Sequence, residues 1–368
     1  MTEKNAIILR LILRTGIFLM AIGVLIREIS CNRPQRPATE ATTPQTPAVT
    51  TEAHTYTFFA FDTGCSITLW GDQGIADQAA AEAIQILNRL HATLNRYDVN
   101  SELARFNATP AETPFACSDL LWKALGAARE AYHLTEGTFD VTVGPLMAFW
   151  KQAASHPEQP PSPEELAAVK ARVGFGKLVF NEAEHTVTKS QNGISVDFGG
   201  LAKGLALDLT YPLVKRPGIT RIYLDFGGNL YLDNPEELPN AGEVLVRNPR
   251  HGDHTTGEML AKVTNANRRF IATSANAERP LLDSNGRFIG HIMDPRTGSP
   301  AVAMEQVTAI TTSGVYSDIF STAVFIDGLP LAEQLVAQIP GTGFVLLPPD
   351  ATAPSPVGDI KLATINSQ

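Results

Sequence analysis

Residues 32–52, NRPQRPATEATTPQTPAVTTE, cannot be built into a core. Pro, Thr and Ala dominate the stretch, and it would gain too little from burial to offset the entropy lost on ordering. It reads as a spacer, the linker being 31–53, and it divides the chain into an N-terminal segment and a globular part that begins near His54. Ahead of it, Ala6 to Ile26 is apolar apart from Arg10 and Arg14, with Lys4 before them. Arginines near an interface can snorkel, so residues 1–30 read as an export signal or a single membrane anchor. Cys31 follows the run and raises the question of lipidation, although Glu28 and Ile29 fit a lipoprotein signal poorly. Basic residues flank the run on both sides, with Arg27, Arg33 and Arg36 beyond it, so orientation stays open.

The remaining length of a 368-residue chain suffices for two ordinary domains or one large α/β unit. A formal net charge of -9 repels phosphate backbones, so nucleic acid is excluded as a partner class, while a phosphorylated cofactor held by local groups is not. Cys31, Cys65 and Cys117 show no CxxC spacing, which argues against a cysteine zinc site.

From Thr55, TYTFFAFDTGCSITLWG reads as strand, turn, strand. A helix follows over Gln73–Leu94, with Ala80, Ile84, Leu87 and His91 near one face. A short helix is expected around Leu103, and another over 118–134 with Ser118 as its N-cap. Pro163 sits in the first turn of a further helix. In KLVFNEAEHTVTKSQNGISVDFGG, Asn192-Gly193 marks a turn between two strands. A helix from Gly204 ends by Pro212, one opens at Asp318, and closing strands fall in GTGFVLLPPD and DIKLATINS. The order is irregular, so an α+β fold is expected in place of a regular βαβ sheet. The main domain is placed at 54–350, with a C-terminal strand and tail at 351–368.

Four blocks carry chemistry or imitate it. In DFGGLAKGLALD (197–208), glycines at a strand-to-helix turn let backbone amides approach an anion, and Lys203 adds a cation. A tight structural turn with a surface lysine accounts for it equally well. In GHIMDPRTGSP (290–300), His291 suits proton transfer near neutral pH, whereas Asp294 also fits a turn-forming role. In SDIFSTAVF (317–325), Asp318 and Thr322 share a helix face and suit a hard cation; capping and self-bonding are the plainer readings. In TSANAER (273–279), hydroxyls and Arg279 suit a phosphate loop or a solvated hairpin.

These blocks stand in an order that resembles the ApbE family of FAD:protein FMN transferases. The resemblance spans about Phe58 to Leu347 and rests on FDTGCSITLWG, LNRYDVNSELARFN, EGTFDVTVGPLMAFW, VDFGGLAKGLALD, LDFGGNLY, IATSANAER, GHIMDPRTGSP and SDIFSTAVFIDG. It implies mixed and antiparallel sheets with helices and a cofactor cleft between two subdomains. It implies Mg²⁺ held by Asp318, Thr322 and the carbonyl of Ala202. FAD, the substrate, would have Lys203, Thr273 and Ser274 near its phosphates beside Gly200, and Tyr97 against the flavin. Ser101, Glu102 and Asp140 would shape the cofactor site. His291 would activate an acceptor threonine, with Asp318 and Lys203 also catalytic. The implied products are a phosphoester-linked FMN and AMP. The implied partner is an acceptor subunit of a membrane redox complex or another exported flavoprotein, with the enzyme at the inner membrane facing the periplasm. Phe61, Ala275, Asn276 and Ala277 depart from the family pattern, which bears on flavin seating and acceptor choice. FAD hydrolysis to FMN and AMP, a non-catalytic FAD-binding role and a purely structural envelope role are the alternatives.

Overall fold

Side chains of β1 (Ala53–Ala60) and β2 (Thr63–Gly71) alternate between core and solvent, as a two-faced strand requires. Ala60, Cys65, Ile67 and Leu69 are buried, while Thr55, Thr57 and Phe59 face water. The strands pair antiparallel from Ala53↔Trp70 to Ala60↔Thr63. Their two-residue connection, Phe61-Asp62, has positive φ at both positions (53° and 58°), the turn geometry that matches strand twist. The computed structural model describes residues 52–156, 158–250, 258–276, 290–363 and 365. The readings of the N-terminal segment, of the linker to residue 51, and of Ala277–Arg279 lie outside the described residues.

The hairpin opens an eight-stranded sheet of order β1-β2-β6-β7-β10-β11-β12-β13. Its further members are β6 (Ile219–Phe226), β7 (Asn229–Asp233), β10 (Phe270–Ala275), β11 (Gln306–Thr311), β12 (Gly343–Leu347) and β13 (Ser355–Gly358). Every pairing in it is antiparallel. On one face lie α1 (Gln73–Leu94) over β1 and β2, α6 (Ala202–Val214) over β6 and β7, and α7 (Gly314–Asp327) over β10 and β11. α8 (Leu329–Gln338) packs on β12 and β13. The other face, from β7 to β12, is covered by a three-stranded sheet of β8 (Val244–Arg247), β9 (Met259–Val263) and β14 (Leu362–Ala363), which closes a second core around Leu232, Val246, Val263, Ile271 and Ile310. This double cover explains why all six residues of β11 are buried.

A third group of elements stands beside α1: α2 (Glu102–Ala108), α3 (Asp119–Leu134), α4 (Gly144–Ser155), α5 (Pro163–Lys170) and a sheet β3-β5-β4 (Phe115–Ala116, Thr186–Lys189, Leu178–Asn181). α5 starts on a capping box, with Ser162 and Glu165 exchanging side-chain and backbone bonds ahead of Pro163. The described residues belong to one compact unit, and β13 and β14 from the C-terminal stretch pair with β12 and β9 inside it.

Three sequence expectations are corrected. The hairpin in 178–189 turns at 182–185, with His185 at φ 49°, and Asn192-Gly193 instead leads from β5 into an extended segment bridged to Val143. α6 starts at Ala202 and runs through Pro212 to Val214, because the bond from Lys215 N–H to Tyr211 O holds the last turn around the proline's missing donor. α7 starts four residues before Asp318, at Gly314, where the Ser313 hydroxyl accepts from Tyr316 N–H.

Candidate active site

α6 and α7 touch backbone to backbone. A Cβ on Gly204 would lie 2.2 Å from the Gly314 carbonyl oxygen, and one on Gly314 would lie 2.4 Å from that of Gly204. Only glycine permits this approach. Asp208 secures it from the next turn: its carboxylate accepts from Gly314 N–H (2.6 Å), Val315 N–H (2.9 Å) and the Ser313 hydroxyl (2.9 Å). Burial raises the Asp208 pKa, and the bonds from Val315, Gly314 and Ser313 pull it back. The contact brings Asp318 to the start of α6, where Oδ2 accepts from Gly204 N–H at 2.9 Å. Oδ1 stands 3.5 Å from Lys203 Nζ. A carboxylate at a helix N-terminus is also favoured by the helix dipole.

Hydroxyls gather one turn further along α7. Thr322 Oγ1 donates to the Asp318 carbonyl (3.3 Å) and lies 3.2 Å from Ser274 Oγ of β10, which also bonds Ser321 Oγ at 2.9 Å. A side chain at Gly200 would meet Thr322 Oγ1 at 3.0 Å and Phe139 at 3.2 Å. Ser274, Thr322, Gly200, Phe139, Asp318 and Lys203 border a cavity of about 330 Å³, lined also by Phe61, His91, Arg96, Tyr97, Asp140, Asp197, Ala202, Thr273 and His291. The cavity lies within the one compact unit, beside the starts of α6 and the 290–293 segment.

His291 is half-buried and its N–H donates to Asn276 Oδ1 at 3.3 Å. The segment after it is braced internally, with Asp294 N–H to Ser299 O, Gly298 N–H to Asp294 O and Ala301 N–H to Ile292 O. It is braced externally too: Trp150 Nε1 of α4 donates to Gly298 O at 2.8 Å, and Arg296 joins Asp294 to Asp327 at the end of α7.

The expected residues do not all converge. Lys203, Ser274, Asp318, Thr322, Ala202, Gly200 and His291 do. Tyr97 stands at the rim, 70% exposed, with the Arg96 guanidinium 5.5 Å from its ring centroid. Thr273 contributes to the wall, but strand alternation sets its side chain opposite that of Ser274, and its hydroxyl pairs with Thr308 at 2.8 Å. Asp140 reaches the cavity, yet its carboxylate is committed to Thr142 N–H, the Thr142 hydroxyl and Phe175 N–H. Burial raises its pKa against those bonds. Ser101 and Glu102 do not line the cavity. Ser101 caps α2 through Ala104 N–H, and Glu102 accepts from Ser118 N–H at the start of α3. Both side chains are engaged at helix starts, and neither borders the cavity.

Two charged residues escaped the sequence reading. Arg96 pairs with Asp197 at 2.5 Å on the cavity wall, and the same carboxylate holds Gly199 N–H at 2.8 Å. Ser321 was likewise missed. Its hydroxyl sits between Ser274 and the Asp318 carbonyl. Arg96 next to Tyr97 was the one available signal, since an arginine beside an exposed aromatic often serves recognition.

Asp318, Thr322 and Ala202 border the same cavity, and a carboxylate, a hydroxyl and a backbone carbonyl are the kinds of oxygen donor that a hard cation such as Mg²⁺ takes alongside waters and phosphate oxygens. Among the described residues no three His, Cys, Asp or Glu side chains converge as a metal site.

The ApbE family model matches residues 61–346. FAD:protein FMN transferases of Haemophilus influenzae and Vibrio cholerae are 28% and 29% identical to this chain. The first alignment covers 69% of this chain and 73% of the relative, the second 69% and 75%. Among solved structures, the flavin transferase ApbE from Vibrio cholerae superposes with a TM-score of 0.70 at 24% identity, covering 83% of this chain and 96% of that one. The apo form of the Pseudomonas stutzeri flavinyl transferase ApbE gives 0.68 at 23% identity, over 83% and 94%. With the family model covering most of its length, the chain belongs to the ApbE family.

Proposed function

We propose that this protein is a FAD:protein FMN transferase that links FMN through a phosphoester to a threonine of an acceptor protein and releases AMP. The observation that carries this reading is the convergence of Lys203, Asp318, Thr322, Ser274 and His291 on one cavity in an ApbE chain. The names of the relatives support the activity class.

The residues divide the work by their chemistry. Lys203, beside the glycine turn at Gly199-Gly200, offers a cation to the pyrophosphate, and the Ser274 hydroxyl offers a hydrogen bond. Asp318, Thr322 and the Ala202 carbonyl would hold Mg²⁺, which supplies charge neutralisation on the phosphates. His291 accepts the proton of the acceptor hydroxyl as its oxygen bonds to the FMN phosphorus and the bond to AMP breaks. Tyr97, exposed at the rim, offers an aromatic face to the flavin. Orientation and fixed charge should carry most of the rate. We also place the catalytic unit outside the cytoplasm at the inner membrane, on the basic and apolar pattern of residues 1–30. The acceptor would be an exported flavoprotein.

Intact mass spectrometry of an acceptor incubated with the protein, FAD and Mg²⁺ tests the reading, with AMP followed in parallel. A gain of one FMN, reduced about 10²- to 10⁴-fold in His291→Ala, is the expected result. AMP with free FMN and an unmodified acceptor would replace transfer by FAD hydrolysis. Absence of FAD binding would remove both.

A further inference from the structure

The turn that brings Gly199, Gly200 and Lys203 to the cavity is held from a helix that does not reach it. Residues 194–198 run extended into this turn. On one side Asp197 N–H donates to Val141 O at 2.7 Å, and Ser195 forms a parallel bridge with Val143. On the other side, the side chain of Asn107 in α2 occupies the place of a neighbouring strand. Its Nδ2 donates to Val196 O at 2.9 Å and its Oδ1 accepts from Val196 N–H at 2.8 Å. An asparagine amide carries the same donor and acceptor as a peptide unit, so it reproduces one rung of a ladder.

Asn107 is itself fixed. Buried Lys189 donates from Nζ to the Asn107 carbonyl at 2.7 Å and lies 5.6 Å from the Phe106 ring centroid. The residue after Val196 is Asp197, whose carboxylate takes Arg96 and Gly199 N–H. The rung therefore sits one residue from the group that shapes the glycine turn.

We propose that Asn107 is a positioning residue for flavin binding: its amide fixes Val196 and, through Asp197, the Gly199–Lys203 turn, without touching the ligand. This rests on the proposed function, since FAD is the ligand whose phosphates the turn would meet. Asn107→Ala leaves both polar groups of Val196 without this partner. Asn107→Asp keeps the acceptor but sets a carboxylate against the Val196 carbonyl.

The test uses the full chain and measures FAD affinity by fluorescence titration, together with the unfolding midpoint. Wild type is compared with Asn107→Ala, Asn107→Asp and, as a control, Phe106→Leu, which loosens the same helix and leaves the amide in place. Both Asn107 variants should bind FAD about tenfold more weakly, the equivalent of one lost hydrogen bond. Phe106→Leu should keep wild-type affinity even where its midpoint falls as far. Affinities in both Asn107 variants within about twofold of wild type would overturn the proposal. So would an equal loss in Phe106→Leu, or a failure of both Asn107 variants to fold, because the role would then belong to the fold. Wild-type protein that does not bind FAD would overturn the transferase reading and this proposal with it. Binding that survives the substitutions would overturn this proposal alone.

Discussion

At the scale of single residues, the site depends on two glycines and one carboxylate. Gly204→Ala would drive a methyl group into the Gly314 carbonyl, which is backbone and cannot swing aside. The expected loss is about 3 kcal/mol, the upper end of overpacking costs, read from denaturant midpoints. Asp318→Asn keeps the shape of the side chain and an acceptor for Gly204 N–H but removes the charge. It should leave the unfolding midpoint within about 1 kcal/mol of wild type while raising the Mg²⁺ needed for half-maximal turnover at least about tenfold. Wild-type Mg²⁺ dependence in this variant would exclude Asp318 as a ligand. Residue types with open roles were the hard part of the sequence. Serine and glutamate at 101 and 102 satisfy helix ends as readily as ligands, and the family blocks gave no means of choosing between them. Arg96 and Asp197 were invisible as a pair, because 101 residues separate them.

At the scale of elements, the site is the meeting of the starts of α6 and α7 with the segment that carries His291, and the α7 start and that segment each have their own lock. Asp208→Ala would strip the acceptor from Gly314, Val315 and Ser313 together. A loss of about 2 kcal/mol is expected, more than a solvent-exposed cap would cost, because the donors left behind are screened from water. The His291 segment has a different lock in Trp150. Trp150→Phe keeps most of the packing but loses the bond to Gly298. Transfer should slow about three- to tenfold with FAD affinity unchanged, measured as turnover against a binding titration. Helices with strong periodicity were legible: the bounds expected for Gln73–Leu94 match, and Ser118 is the cap expected. The errors fell where local rules compete with packing. Pro212 should end a helix, but α6 is pinned between α1, α7 and the sheet and continues to Val214. The start of α7 was placed late because Gly-Val-Tyr-Ser carries little helical signal, and its helical state comes from the Asp208 contact.

At the scale of the whole molecule, the α+β class was legible from the irregular order of elements, and the antiparallel pairing from the family resemblance. The second sheet covering the far face of the main one was not, since β8, β9 and β14 are short and lie far apart in sequence. That cover half-buries Tyr223, whose pKa burial pushes up to about 12. Tyr56 is pushed to about 12 as well, by burial and then by its bond to Asp77. Unfolded tyrosines ionise near pH 10, so the folded state keeps protons that the unfolded state gives up. This stabilisation is complete below pH 10 and is lost as pH rises toward 12. Unfolding midpoints should fall more steeply between pH 10 and 12 than between pH 8 and 9, and Tyr223→Phe should flatten part of that slope. A slope unchanged in the variant would assign it to other groups. The Gly204–Gly314 contact has a consequence for how the protein fails. Most binding sites are spaced by side chains, and they slacken by degrees as those side chains gain freedom on warming. Here the gap between Lys203 and Asp318 is set by two main chains in direct touch, with no adjustable packing between them. Such a gauge holds its dimension or loses it outright, so on heating ligand recognition should persist undiminished until the helices part, and then vanish in the same step as the fold.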